Sequence, residues 1–354
     1  MKRLGLIMIA LLYVTVSCSG PLPSVPQSPG VGVLKVELTD AGVTKSPYNT
    51  VLDDEKAIKF ANILIYDENG NLIASRYMPE GTNTASIECR TGRHTVVAVI
   101  NHTPSDQQAQ KLSALRSSVL SLSSWPDKSA GIPMSAAASC VIVENAETAC
   151  PLVCTRHHTR VVLRSVTNTS ESGFTLRNAF LSNVQTSIHL DGSEVDPSIL
   201  IDGIHPFINK QGRAAPYNEA AVIDGVNYIA DLPDMTFRSI GYNLAKAGTF
   251  SPSIPLVFYC FRNSSTVAPN GYDATFPEQM TTLVLTADFG GKTYYYPVVL
   301  STPEGLLPNH TYTVDVSISG PGSSDPNLPI VKIESGVSVN IEGWSSGNNL
   351  NETI

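Results

Sequence analysis

The chain has 354 residues, 42% of them hydrophobic and 15% charged, enough apolar material for two domain cores and too much for wholesale disorder. Its 23 Lys+Arg against 31 Asp+Glu give a net charge of −8 with no basic stripe, which excludes a nucleic-acid binder built on phosphate contacts. Gly 25 and Pro 24, set between strand-like runs, point to an all-β protein.

Residues 1–17 read as a lipoprotein signal peptide. Lys2 and Arg3 form the positive start, and Leu4 to Val16 supply an apolar run too short to span a membrane comfortably. Val16-Ser17-Cys18-Ser19-Gly20 looks like a bacterial lipobox, which makes Cys18 the lipidation site; an ordinary cleaved signal with an incidental cysteine is the alternative. Residues 18–32 are rich in Pro, Gly and Ser and read as a tether.

The first domain is expected over 33–147. Val33 to Leu38 alternates, with Leu34, Val36 and Leu38 on one face and Lys35 and Glu37 on the other, the pattern of a half-buried strand. Ile58 to Tyr66 is a second strand, and Asn69-Gly70 marks a hairpin into Leu72-Ile73 because both residues tolerate positive φ. Asp67, Asn69 and Asn71 imitate half a calcium loop, but Met78 stands where a bidentate Glu is needed, so a turn is expected there. Further strands follow at Ser86–Cys89, His94–Ile100 and Val141–Val143. One helix is expected from Ser105 to about Leu122, opened by a Ser105/Gln108 capping box and carrying Leu112, Leu115, Val119 and Leu122 at 3–4 spacing.

A second domain is expected over 148–345, with the boundary placed to within about 20 residues. Strands are expected at Val161–Val166, Phe174–Leu181, Ile254–Phe261, Thr282–Ala287, Tyr294–Leu300, Thr311–Ser319 and Gly336–Ile341, with a hairpin at Gly290-Gly291 and an irregular stretch over about 190–250. A polar tail, 346–354, ends the chain.

The sequence has no H-E-x-x-H, Walker loop or G-x-G-x-x-G. The expectation is therefore no enzyme, no catalytic residues, no cofactor and no metal. His157-His158 are neighbours that a strand would send to opposite faces, and with Arg156 and Arg160 they suggest a polar strand edge. Asn101, Asn168, Asn263, Asn309 and Asn351 begin N-x-S/T triplets that read as turn chemistry. Cys89, Cys140, Cys150, Cys154 and Cys260 are odd in number, so they cannot all pair, and mostly buried thiols with one disulfide at most are expected.

These pieces, in this order, resemble the fimbrillin-like, type V pilin family of Bacteroidales over nearly the whole chain. The resemblance rests on Cys18, on Ile63-Leu64-Ile65-Tyr66-Asp67 with Asn69-Gly70, and on Thr91 to Asn101. It continues through Ile132-Pro133-Met134-Ser135 and Arg160-Val161-Val162-Leu163, where His157, His158 and Thr159 depart from the family's apolar choices. Its most specific part is Leu307-Pro308-Asn309-His310-Thr311-Tyr312-Thr313-Val314, followed by Gly320, Gly322 and Asp325-Pro326.

The resemblance implies two transthyretin-like β-sandwich domains, the first containing the helix, in a subunit of a cell-surface fimbrium that mediates adhesion and biofilm formation. It implies a precursor lipid-anchored in the outer membrane, a trypsin-like processing protease, and other fimbrium subunits as strand-exchange partners, with a host or bacterial adhesion ligand. Residues 33–45 would be the removable first strand, with cleavage after Lys45, or less favourably Lys35; a plain surface lysine in a loop is the competing reading of Lys45. The candidate donor strand carries Val337, Val339, Ile341 and Trp344, although the same residues would equally form the last strand of their own domain. Ser345 to Asn349 replace the second apolar strand usual in stalk subunits, which favours a tip or minor subunit. The alternative is a non-polymerising outer-membrane lipoprotein that binds glycan or host ligand, with Tyr294-Tyr295-Tyr296 as its aromatic platform.

Overall fold

The computed structural model describes residues 30–40, 57–122, 131–182, 184–185, 187–195, 207–208, 222–223, 226–227, 236–264, 281–300, 304–324, 337–343 and 349–350. The signal peptide, Cys18, Lys45, Trp344 and Asn351 lie outside these residues. The architecture is all-β. Among the described residues no helix is long and apolar enough to cross a membrane.

The first half is a sandwich. Strands β1 (Val31–Asp40), β2 (Phe60–Tyr66), β3 (Leu72–Pro79), β4 (Thr84–Arg90), β5 (Gly92–Ile100), β7 (Met134–Ile142) and β8 (Glu147–Arg156) follow the order β3-β2-β5-β7-β8-β1-β4. β7 meets β8 only through Met134 opposite Arg156 and Ser135 opposite Thr155. The continuous order therefore folds into two facing layers, β3-β2-β5-β7 and β8-β1-β4. Inward residues at every second position fill the space between them: Leu34, Val36 and Leu38 against Ile63, Ile65, Val96, Ala98 and Ile100.

The expected helix from Ser105 to Leu122 is three shorter pieces: α1 (Asp106–Ala109), α2 (Leu112–Arg116) and strand β6 (Val119–Ser121). The Ser105/Gln108 capping box forms as expected. Continuation fails because the backbone at 110–112 bonds to the β2–β3 turn instead: Leu72 N donates to Gln110 O at 3.1 Å and Leu112 N to Gly70 O at 2.9 Å. Leu115, Leu120 and Leu122 still cover the outer face of β2 and β5, packing with Leu64, Tyr66, Val97 and Val99. The Asp67–Asn71 segment is a hairpin turn, with Asp67 Oδ1 accepting from Asn69 N at 2.9 Å and Asn71 N at 2.8 Å.

The second half begins with β9 (His158–Asn168) and β10 (Phe174–Ser182). Five two- or three-residue strands follow, β11 (Val184–Gln185), β12 (Ser187–His189), β13 (Phe207–Ile208), β14 (Val222–Ile223) and β15 (Val226–Asn227). The longer strands resume with β16 (Phe237–Leu244), short β17 (Thr249–Phe250), β18 (Leu256–Phe261), β19 (Thr282–Phe289) and β20 (Lys292–Val299). Last come β21 (His310–Ile318), β22 (Val337–Gly343) and β23 (Asn349–Leu350). One layer is β16-β10-β19-β20; the other centres on β9, with β17 and β18 on one edge and β21-β22-β23 on the other. Gly290 and Gly291 take φ of 60° and 80°, as the β19–β20 hairpin requires.

The two halves echo one another. β1 runs antiparallel to β4 and parallel to β8; β9 runs antiparallel to β18 and parallel to β21. Each sandwich is thus organised around its own first strand. Residues 148–156, assigned from sequence to the second domain, lie in β8, where 148–154 pair with β1 and 155–156 with β7 of the first sandwich. The junction is bridged by β6 pairing with β12 and by a core running from Leu64 and Tyr66 through Leu115 and Leu120 to Ile188, Leu283 and Val314.

Candidate functional site

β1 occupies the position that matters most for the expected strand exchange. It is the middle strand of its layer, registered with β4 from Val31 opposite Arg90 to Glu37 opposite Thr84, and with β8 from Val33 opposite Glu147 to Asp40 opposite Cys154. Leu34 and Val36 are fully buried and Leu38 is 3% exposed. At about 1.5–3 kcal/mol for each buried aliphatic side chain, these three contribute about 5–9 kcal/mol before chain entropy is counted.

The strand is pinned at both ends. Thr91 N donates to Gly30 O at 2.8 Å, Asn145 N to Val31 O at 3.0 Å, and Leu38 N to Asn83 O at 2.8 Å. Gly32 has a steric reason: a Cβ there would stand 2.3 Å from the Val143 carbonyl oxygen. The walls of the site are Ile87 and Cys89 on β4 and Cys150, Leu152 and Cys154 on β8, all buried. Sequence reasoning misses β8, although the alternation Cys150, Leu152, Cys154 is the signal that could have found it.

Lys35 projects from the outer face of β1, where it makes an exposed 3.6 Å ion pair with Glu147 that contributes little. Its backbone lies mid-strand, opposite Ser86 on one side and Ala149 on the other. Val337, Val339 and Ile341 lie in β22, opposite Val316, Val314 and Tyr312 of β21 in the same chain. The structure therefore brings Leu34, Val36 and Leu38 together in one core and places the candidate donor in the other sandwich.

The residues that carry the sequence motifs lock turns. Asn101, at φ 55°, accepts from Lys59 N at 2.9 Å and donates to Ala57 O at 2.8 Å and Ile132 O at 2.9 Å, so the Asn of one motif holds the Ile-Pro-Met-Ser segment of the next. Asn309, at φ 59°, donates its backbone N–H to His158 O at 2.9 Å. Tyr312 Oη accepts from Leu307 N at 2.9 Å. Asn101, Asn168, Asn263 and Asn309 are all buried, in keeping with turn chemistry rather than surface attachment.

The expectation of a polar edge at Arg156–Arg160 is overturned. His157 is 6% exposed, His158 0%, Arg156 1% and Arg160 3%, because the β8–β9 crossing passes between the two sandwiches. Burial holds the His157 imidazole down at about 4 and that of His158 at about 3, so both are neutral near pH 7. His157 Nε2 lies 2.9 Å from Ser135 Oγ, and the His158 ring packs 4.6 Å from that of Phe261. The Tyr294-Tyr295-Tyr296 run is also less open than a ligand platform demands: Tyr296 is buried with its hydroxyl donating to Gly320 O at 2.9 Å, and its two neighbours are half-buried.

No protein-family model matches the sequence. Solved structures with the same fold exist. A fimbrilin, FimA, from Porphyromonas gingivalis W83 superposes with a TM-score of 0.61 at 16% identity, covering 89% of this chain and 98% of that one. A protein provisionally assigned to cell adhesion from Parabacteroides distasonis gives 0.59 at 15% identity over 90% of this chain and 100% of its own. The tip fimbrial protein Mfa3 from Porphyromonas gingivalis, truncated at its C-terminus, gives 0.51 at 13% identity over 89% and 100%. At these identities the likeness establishes a shared fold.

Proposed function

We propose that this chain is a structural and adhesive subunit of a cell-surface fimbrium, a tip or minor subunit, built from two transthyretin-like sandwiches and assembled by protease-triggered strand exchange. The observation that carries the reading is the placement of β1. The first described strand is also a central one, and it leads into the 41–56 segment that contains Lys45. Its removal would expose the apolar walls on β4 and β8 together with two rows of unpaired backbone groups, a template that favours a replacement strand. The fold shared with fimbrilins and with a tip fimbrial protein supports the same reading.

In this reading Cys18 carries lipid that anchors the precursor in the outer membrane, and a trypsin-like protease cuts after Lys45. Lys35 is the poorer substrate because a protease needs an extended, unpaired segment and β1 is paired on both edges there. Fimbrium partners and an adhesion ligand complete the assembly. The pairing of β22 with β21 within one chain favours the second reading, a non-polymerising surface lipoprotein that binds glycan or host ligand.

Limited trypsin digestion of the non-lipidated chain separates the two. Loss of the segment up to Lys45, leaving a stable remainder that captures a synthetic peptide of residues 336–344, is the expected result. A folded protein in which Lys45 resists cleavage, or a cut product that captures nothing, would overturn strand exchange and leave the static lipoprotein.

A further inference from the structure

Five cysteines lie in the described residues, none of them joined in a disulfide. Three of them gather at one end of the first core: Cys89 on β4, Cys140 on β7 and Cys150 on β8. Strand alternation turns all three inward, with Ile87, Ile142 and Leu152 as their neighbours on the same faces. Continuing the register of Met134 opposite Arg156 and Ser135 opposite Thr155 towards the β7–β8 turn sets Cys140 opposite Cys150. The strands have by then diverged into facing layers, so these two thiols face one another across the core, each close enough to act on the other's acidity. Cys89 is near enough for its charge to couple to that of Cys140.

β1 closes over the cluster, with Gly32 opposite Cys89 and Val36 opposite Cys150. His94 is opposite Cys140 on β5 and is 6% exposed. Its Nε2 is 2.8 Å from Arg90 O, a carbonyl that can only accept, so Nε2 carries the proton and Nδ1 keeps a lone pair with no hydrogen-bond partner. Among the described residues no three His, Cys, Asp or Glu side chains are placed to hold a metal ion. Thiol chemistry is what this cluster can do.

We propose that Cys140 and Cys150 are a disulfide-forming pair that, when oxidised, ties β7 of one layer to β8 of the other and leaves Cys89 as a free thiol. The oxidant is a disulfide, either a small molecule or a thiol–disulfide oxidoreductase. One protein thiol gives its proton to a base, for which His94, opposite Cys140, offers its unpartnered Nδ1, and the thiolate attacks the oxidant's disulfide, releasing one oxidant thiol. The second protein thiolate then displaces the remaining oxidant thiol from the mixed disulfide. Two electrons and two protons pass from the cysteine pair to the oxidant. Burial pushes all three thiols up, Cys140 to about 11, so the closed sandwich reacts slowly and opening of β1 speeds the reaction. The pair does not depend on strand exchange, because it lies within one chain and forms whether or not β1 is ever replaced.

The test uses the full chain, refolded with oxidised glutathione or with dithiothreitol and then cut by Glu-C protease after Glu144 and Glu147, which parts Cys140 from Cys150. The expected result without reductant is a Cys140 fragment joined to the fragment bearing Cys150, lighter by two hydrogens and separated by dithiothreitol. The Cys89→Ser and Cys154→Ser variants keep this bridge, whereas Cys140→Ser and Cys150→Ser lose it while circular dichroism shows an unchanged fold. The bridged protein melts at a higher temperature than its reduced form. No bridged fragment from a chain folded under oxidising conditions, or a bridge that runs instead to Cys89 or Cys154, would overturn the pairing.

Discussion

Single buried side chains set how this protein responds to acid. His157 and His158 are neutral in the folded state and have pKa values held below the ordinary 6.5 by burial. The unfolded chain therefore binds protons first as pH falls, and stability that is complete above about 6.5 is lost progressively towards 4 for His157 and 3 for His158. At about 1.4 kcal/mol for each pH unit between the folded and unfolded pKa, the loss reaches several kcal/mol at the acid end. Asp288 and Asp315 are also held low, the first mainly by hydrogen bonding from Arg177, the second by Arg164 and Ser165 against its burial, but carboxylates act only below about pH 4. The window from 6.5 to 4 thus belongs to histidines, His102 included, whose pKa burial also lowers. Urea unfolding at pH 7, 6 and 5 should show falling stability, and His157→Gln should flatten that fall; an unchanged slope would remove His157 as its source. Asn101 makes a second residue-scale case. Its three side-chain hydrogen bonds and its positive φ predict that Asn101→Ala costs about 3 kcal/mol or more, read as a lower denaturation midpoint.

At the scale of elements, the alternating strands are the part legible in the sequence. Leu34, Val36 and Leu38 announce β1, and turns appear at Asn69-Gly70 and Gly290-Gly291, with positive φ at Gly70, Gly290 and Gly291. What escapes is context. β7 is built from Met134-Ser-Ala-Ala-Ala-Ser-Cys, residues of weak strand preference, and it becomes a strand because β5 pairs along its whole length. β8 carries Pro151, which argues against a strand, yet between Glu147 and Cys154 it pairs along one edge only, with β1, so a missing N–H is tolerated. The helix fails at Gln110 because a turn forty residues earlier competes for its backbone, a contact that periodicity cannot contain. Of the candidate site, the inward residues of β1 and the β4 wall at Ser86–Cys89 are readable, and the β8 wall is not. Two substitutions test the element. Leu34→Ala should cost about 2–5 kcal/mol. Gly32→Ala forces Val143 or β1 to move and should make the segment through Lys45 leave faster during digestion. Equal digestion rates for Gly32→Ala and the unaltered chain would show that β1 is not held as tightly at this end as the close approach to Val143 indicates.

For the whole molecule, the division of the core decides what survives if β1 is lost. Leu34, Val36 and Leu38 pack with β2, β4, β5, β7 and β8 in one cluster. The cluster joining the two sandwiches, from Leu64 and Tyr66 through Leu120 to Ile188 and Val314, contains no β1 residue. Removing β1 should therefore open the first sandwich without dissolving its junction to the second. Hydrogen exchange on the chain before and after cleavage at Lys45 measures this directly. Protection should fall in β4 and β8, whose amides lose their partner, and hold in β9, β10, β19 and β21. Adding the 336–344 peptide should restore protection along β4 and β8 if it enters as a replacement strand, since it would again supply both rows of hydrogen bonds. Loss of protection in β9 and β21 on cleavage would mean instead that the sandwiches unfold as one unit. A subunit of that kind could not keep a groove open for a partner, because the layer meant to receive the new strand would already have come apart.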